Sequence, residues 1–175
     1  TAALTGCNEN SPAPNTVSPT LIPEYNNRLD ISQSVILTAD LSHLTTEQKQ
    51  MIALLIEASD IMDDLFWHQA FGDNKQAFLA SIKDENVREF ADINYGPWDR
   101  LNGDTVFLSE MKEKPLGAQF YPEDMTKDEF EKAQFPDKKG LYSLVKRNEQ
   151  GQLTTIAYSE EYSDELNRAA AILEK

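Results

Sequence analysis

Between Thr46 and Ala70 the chain carries apolar residues at helical spacing for about seven turns, and any fold it adopts has to be arranged around that helix. Met51, Leu55, Ala58, Met62 and Leu65 form one continuous stripe, and the polar Gln69 ends it. Leu54 and Ile61 widen the stripe on one side; Ile52, Ile56 and Phe66 widen it on the other, and Trp67 lies nearly opposite. A helix apolar around most of its circumference is a central helix contacted from several sides. Its start is written locally, with Thr45 as N-cap and Gln48 closing a capping box. The strip left polar holds Glu57, Asp60, Asp64 and His68.

Around this helix the pattern predicts an α+β, predominantly helical domain. Val35, Leu37, Ala39 and Leu41 alternate, so a short strand with one buried face is expected over 34–41. Residues 74–93 read as helical, with an interruption near Asp84-Glu85-Asn86, and Thr126 to Glu129 opens a short helix to about Gln134. Two strands, 141–147 and 152–158, flank Asn148-Glu149-Gln150-Gly151, a hairpin turn of the longer, glycine-ended kind. From about Ser159 the chain turns helical again and reaches Lys175 without a C-cap signal, which reads as a truncated pattern.

Between these elements lie two segments with no period. Tyr95 to Asp104 holds two aromatics, a proline, two glycines and an arginine, and Lys114 to Pro122 follows closely. Gly and Pro punctuate the backbone there, and the aromatic content argues for order. Loops of this length in a compact domain are commonly functional.

With 175 residues the chain can build one domain with a proper core. Its formal net charge of −14 would repel phosphate backbones, so nucleic-acid binding is not expected. No apolar run approaches the length of a membrane-spanning helix. The lone Cys7 follows Leu4-Thr5-Gly6, a match to the bacterial lipobox, which makes Cys7 the expected lipidation site and residues 1–7 the tail of a signal peptide. Residues 8–25, rich in Pro, Asn, Ser and Thr, are expected to form a tether to the domain at 26–175. The expected location is a bacterial cell envelope, with the chain held to the membrane through its lipid anchor only.

Familiar catalytic templates are missing: there is no His-Glu-x-x-His, no cysteine pair, no Gly-x-Ser-x-Gly and no phosphate loop. Asp60, Asp64 and His68 share one helix face, but three ligands in a row on one helix splay, and a solvated strip is the preferred reading. No metal ligand is therefore assigned. In the first aperiodic segment, Asp99 and Arg100 are placed to hold a ligand by charge-assisted hydrogen bonds, with Tyr95 and Trp98 as walls. These four are the candidate substrate-cleft residues. The alternative, favoured by the lack of a partner of obvious chemistry, is that Trp98 plugs the core while Asp99 and Arg100 fix the turn.

Three runs then add what periodicity does not. Ile61 to Trp67, Asn94 to Leu101 and Gly117 to Thr126 resemble the N-terminal part of bacterial zinc hydrolases related to dipeptidyl peptidase III, and Gly140 to Val145 with Ala157-Tyr158-Ser159 fits the same pattern. The resemblance runs from about Arg28 to the end of the chain. It implies part of one lobe of a two-lobed, largely helical metallopeptidase that cleaves short peptides. It also implies zinc in the full-length parent, bound by a His-Glu-x-x-x-His helix and a later glutamate outside this chain. On that reading the segment alone is inactive, has no catalytic residue of its own, and has the missing C-terminal part as its partner. The rival expectation is a non-catalytic lipoprotein domain that binds a peptide or protein partner through its aromatic loops.

Overall fold

The structure, a computed structural model, describes residues 18–32 and 34–175. Cys7 with its lipobox and the tether residues 8–17 lie outside the described residues. The fold is mostly helical α+β with two small antiparallel hairpins.

Helix α1 runs Thr46–Ala70, and its capping box forms as expected. The Gln48 amide donates to Thr45 Oγ1 at 3.3 Å, and the Thr45 amide to Gln48 Oε1 at 2.9 Å. The helix then serves two separate cores. Along its middle, Ala58 and Ile61 pack on Ala169 and Ile172 of α6 (Ser163–Leu173), with Leu54 half-buried beside them. At its C-terminal end Trp67, 1% exposed, enters the main core. There it meets Phe78 of α2 (Lys75–Ser81) and, through the same cluster, Val87 and Phe90 of α3 (Glu85–Ile93). Asp84, where the sequence shows an interruption, is the N-cap of α3 and accepts from the Val87 amide at 3.1 Å.

The floor of the main core is a hairpin that sequence reading left as loop: β1 (Trp98–Asp99) pairs with β2 (Thr105–Val106). Immediately after it, Phe107 and Leu108 have no exposed surface. An arm from the start of the described chain lies across this floor. Leu21 bridges Leu108, the Ile22 amide donates to the Phe107 carbonyl at 2.9 Å, and Tyr25 is buried in the core. Residues 18–25 are thus part of the packed domain, and the tether expected up to residue 25 does not extend that far. Composition misled there, because Leu21, Ile22 and Tyr25 supply apolar surface that the prolines around them obscure.

The strand expected over 34–41 is not formed. Those residues are irregular and exposed, with Val35, Ile36 and Leu37 at 72%, 90% and 90%. Alternation supplies an apolar face, but a strand also needs an edge to pair with, and the described residues offer none here. The expected C-terminal helix is broken at Tyr162 into α5 (Tyr158–Glu161) and α6.

The second hairpin matches expectation. Strand β3 (Ser143–Arg147) pairs with β4 (Leu153–Ala157), and Gly151, at φ +76°, closes the turn. Thr126 caps α4 (Lys127–Lys132), yet only half the predicted box exists, because the Glu129 side chain is used elsewhere. Its two oxygens accept from Arg147 Nη1 and Nη2 at 2.8 and 3.0 Å, while Arg147 Nε donates to Asp124. Arg147 therefore clamps α4 and the turn before it to the hairpin. The hydrogen bonds from Arg147 hold the carboxyls of both Glu129 and Asp124 below their ordinary values. Depressed carboxylate values stabilise the fold above the unfolded-state pKa, near 4, and that contribution is lost as pH falls through the folded values. Between pH 5 and about 3 the thermal midpoint should therefore fall further for the wild type than for Arg147→Met. Parallel pH dependence in the two proteins would remove the clamp from the account.

Candidate functional site

The Tyr95 segment begins as the end of a helix. The Tyr95 amide donates to the Asp92 carbonyl at 3.1 Å and the Gly96 amide to the Ala91 carbonyl at 3.0 Å, which is the Schellman pairing that closes α3. The position that usually takes glycine holds Tyr95, at φ +55°. A left-handed non-glycine residue costs roughly 1–2 kcal/mol, so its side chain has to recover that. It does so on α1: the ring meets Phe66 edge-on at 4.6 Å, and the hydroxyl donates to Asp63 Oδ1 at 2.5 Å. This hydrogen bond to Asp63, with partial burial, holds the Tyr95 phenol above its ordinary pKa, so it remains a neutral donor. Gly96 follows at φ +140°, where a Cβ would lie 2.9 Å from the Trp98 ring. No other residue fits.

Past Gly96 the chain turns inward. Trp98 is buried, its Nε1 donates to the Lys112 carbonyl at 2.9 Å, and its ring lies 5.8 Å from Phe71. Asp99 is completely buried. Its Oδ2 accepts from Arg28 Nε at 2.6 Å and its Oδ1 from the Leu101 amide at 3.0 Å. Its carbonyl takes the Asn102 and Asp104 amides, both at 2.9 Å. Asp99 is thus the hub of the β1–β2 turn and its link to the N-terminal arm. Arg28, the charge that makes this burial tolerable, lies 71 residues away, and no local pattern in the sequence marks it.

Arg100 alone of the four candidates is exposed, and Tyr95 is half-buried beside it. The Arg100 guanidinium sits over Phe66 at 5.2 Å and over Tyr95 at 5.4 Å, and its amide is fixed by Asn94 Oδ1 at 3.0 Å. A hollow of about 320 Å³ opens beside Asn94, Asp99, Arg100 and Leu101. The structure therefore divides the sequence candidates: Trp98 and Asp99 are framework, while Tyr95 and Arg100, joined by Phe66, form a surface cation–aromatic stack. A separate groove of about 970 Å³ runs between the β1–β2 turn and residues 110–118, over Val106, Leu108 and Met111, and touches none of the four.

The polar strip of α1 is broken up by pairing. Asp64 binds Lys75 Nζ at 2.9 Å and His68 Nδ1 lies 2.6 Å from Asp73. Among the described residues no group of three or more His, Cys, Asp or Glu is placed to hold a metal ion. None of the described helices is long and apolar enough to cross a membrane.

The architecture is thus that of a helical scaffold whose conspicuous loop residues serve packing, with one exposed cation–aromatic feature. The same architecture occurs in solved peptidase structures. The chain superposes on part of DPP III from Caldithrix abyssi with a TM-score of 0.67 and 34% identity, covering 77% of this chain and 27% of that one. It superposes on dipeptidyl-peptidase III from Corallococcus sp. strain EGB with a TM-score of 0.71 and 28% identity, covering 79% and 28%. Among curated proteins, Nudix hydrolase 3 of Arabidopsis thaliana is 26% identical over 81% of this chain and 26% of its own length. No family model matches the chain. The chain spans little more than a quarter of the length of each of these relatives.

Two substitutions separate framework from surface. Arg28→Met strands the buried Asp99 carboxylate and should cost about 3 kcal/mol, the lower end for breaking a buried pair because Arg28 is partly exposed. Arg100→Ala removes only the surface stack and should cost about 1 kcal/mol or less. Urea unfolding of both variants measures the difference; equal losses would contradict the assignment of Asp99 as the hub.

Proposed function

We propose that this chain is a segment of a zinc-dependent hydrolase of the dipeptidyl peptidase III type, a metallopeptidase that cleaves short peptides. The observation that carries this reading is the superposition on DPP III from Caldithrix abyssi at 34% identity over 77% of the chain. The Corallococcus match supports it independently. The Arabidopsis relative, matched over 26% of its length, lends support to the broad class of hydrolase and no further.

In the parent the zinc ligands and the water-activating glutamate lie outside these residues. Bound zinc would polarise the scissile carbonyl and supply a nucleophilic hydroxide at neutral pH. This chain contributes scaffold and, at its surface, the Arg100–Tyr95–Phe66 stack, which is suited to meet a peptide carboxylate by a charge-assisted bond. The rest of the same polypeptide is its partner. Lipidation at Cys7 and residence in a bacterial envelope belong to the same proposal, resting on the lipobox alone. The rival expectation, a non-catalytic domain binding a peptide or protein partner through its aromatic loops, loses Trp98 as a contact because that ring is buried, while Tyr95 and Phe120 keep exposed surface.

The test is the product of the complete reading frame, assayed for release of dipeptides from short peptides with and without a zinc chelator. Chelator-sensitive cleavage is expected there and none from the 175-residue chain. Arg100→Ala in the complete protein should raise KM about tenfold, equivalent to ~1.4 kcal/mol, with kcat little changed. A reading frame that stops at Lys175, or a complete protein that neither binds zinc nor cleaves peptides, would overturn the proposal.

A further inference from the structure

Residues 34–41 combine three properties that do not coexist in a finished fold. Their side chains alternate as in a half-buried strand, with Val35, Leu37, Ala39 and Leu41 on one face. Ile36, on the other, makes a Val-Ile-Leu run of high strand propensity. Yet Ile36 and Leu37 are each 90% exposed, and among the described residues none of 34–41 takes part in a ladder. An exposed apolar strand-former outside any described ladder is the template to which another strand adds.

The apolar exposure continues along the chain. Leu41 leads through the turn closed by the Leu44 amide, 3.1 Å from the Leu41 carbonyl, directly into α1. On α1 the flank Met51, Leu55 and Met62 stays exposed beside the α6 contact. Exposed apolar side chains grouped on one helix flank mark an interaction face. What would cover it follows from length. Each matched relative is almost four times as long as the aligned part of this chain, so a protein of that type has ample polypeptide to supply both a pairing edge and a lid for the flank.

Resting on the function proposed above, we infer that residues 34–41 form a β-strand in a sheet completed by the remainder of the same polypeptide, and that the adjoining flank of α1 packs under that sheet. The occupant is intramolecular. Strand addition satisfies the backbone of 34–41, and the one-sided alternation directs Val35, Leu37 and Leu41 toward the α1 side of the sheet.

Hydrogen exchange resolved to single amides, on the 175-residue chain and on the product of the complete reading frame, tests this. The expected result is exchange near the unprotected rate for amides 35–40 in the short chain. In the complete protein, alternate amides should slow at least a hundredfold, as for a paired strand. Leu37→Cys in the complete protein, kept under reducing conditions, adds a side-chain readout on the face directed toward α1: its thiol should label at least tenfold more slowly there than in the short chain. Fast exchange throughout 35–40 in the complete protein overturns the inference, even if the thiol is shielded. So does protection that already exists in the short chain and depends on its concentration, which would assign the strand's partner to a second copy. Peptide cleavage and zinc content measured on the same complete protein report separately on the function proposal. A zinc-bound, active enzyme with unprotected 35–40 therefore sinks the strand and leaves the function standing.

Discussion

Trp67 is the residue on which the arrangement turns. It stands on the side of α1 opposite the stripe that faces α6, so burying it demands a second core on that side. That core is assembled around its ring: Phe71 lies edge-on at 6.1 Å, Phe78 at 6.4 Å and Tyr95 at 5.4 Å, with Lys75 Nζ 5.3 Å above. The three aromatic contacts belong to different parts of the chain, namely the C-cap of α1, helix α2 and the residue after the C-cap of α3. A large aromatic makes most of its stabilisation by such burial, so the orientations of α2 and α3 relative to α1 are set together by one side chain.

The second link is electrostatic and joins what the aromatics do not. The main core is open where the N-terminal arm crosses the β1–β2 hairpin, and Arg28 reaches from the arm to Asp99 beneath it. Asn102 Nδ2, which donates to the Tyr25 hydroxyl at 3.1 Å, adds a second polar tie across the same seam. A carboxylate with no exposed surface, satisfied by one guanidinium and by the Leu101 amide, is costly to form but specific in register. It fixes which residue of the hairpin lies under the arm, a choice that apolar contacts such as Leu21 on Leu108 leave loose.

How much of this the sequence made legible depends on the range of the interactions. The start of α1, the Asp84 break and the Asn148–Gly151 turn are encoded within four or five residues, and each appears as expected. The half-formed box at Thr126 shows a local signal losing to a distant one: Glu129 gives up the cap for Arg147, 18 residues on. For Asp99 the sequence leaves ligand binding and a turn-fixing role side by side, because its partner, Arg28, is invisible in any short window. Residues 34–41 are the converse. Their local signal is strong, yet among the described residues no strand edge pairs with them and they stay exposed.

The two cores also differ in what they can sustain. Around Trp67 helices, hairpin and arm close on one another from several directions, which gives an interior shielded from water. The α1–α6 contact is a single seam of Ala58 and Ile61 on Ala169 and Ile172, and Leu173 and Leu55 remain exposed near it. Two helices in contact along one line bury only a narrow stripe of each, and a stable layer needs another element across the rest. The exposed flank of α1 is thus the outer half of an unfinished layer, whereas the Trp67 side is finished. This asymmetry explains why the apolar circumference of α1 pointed to a helix contacted from several sides while only part of it is covered. The sequence of α1 carries a wider apolar circumference than the described residues cover.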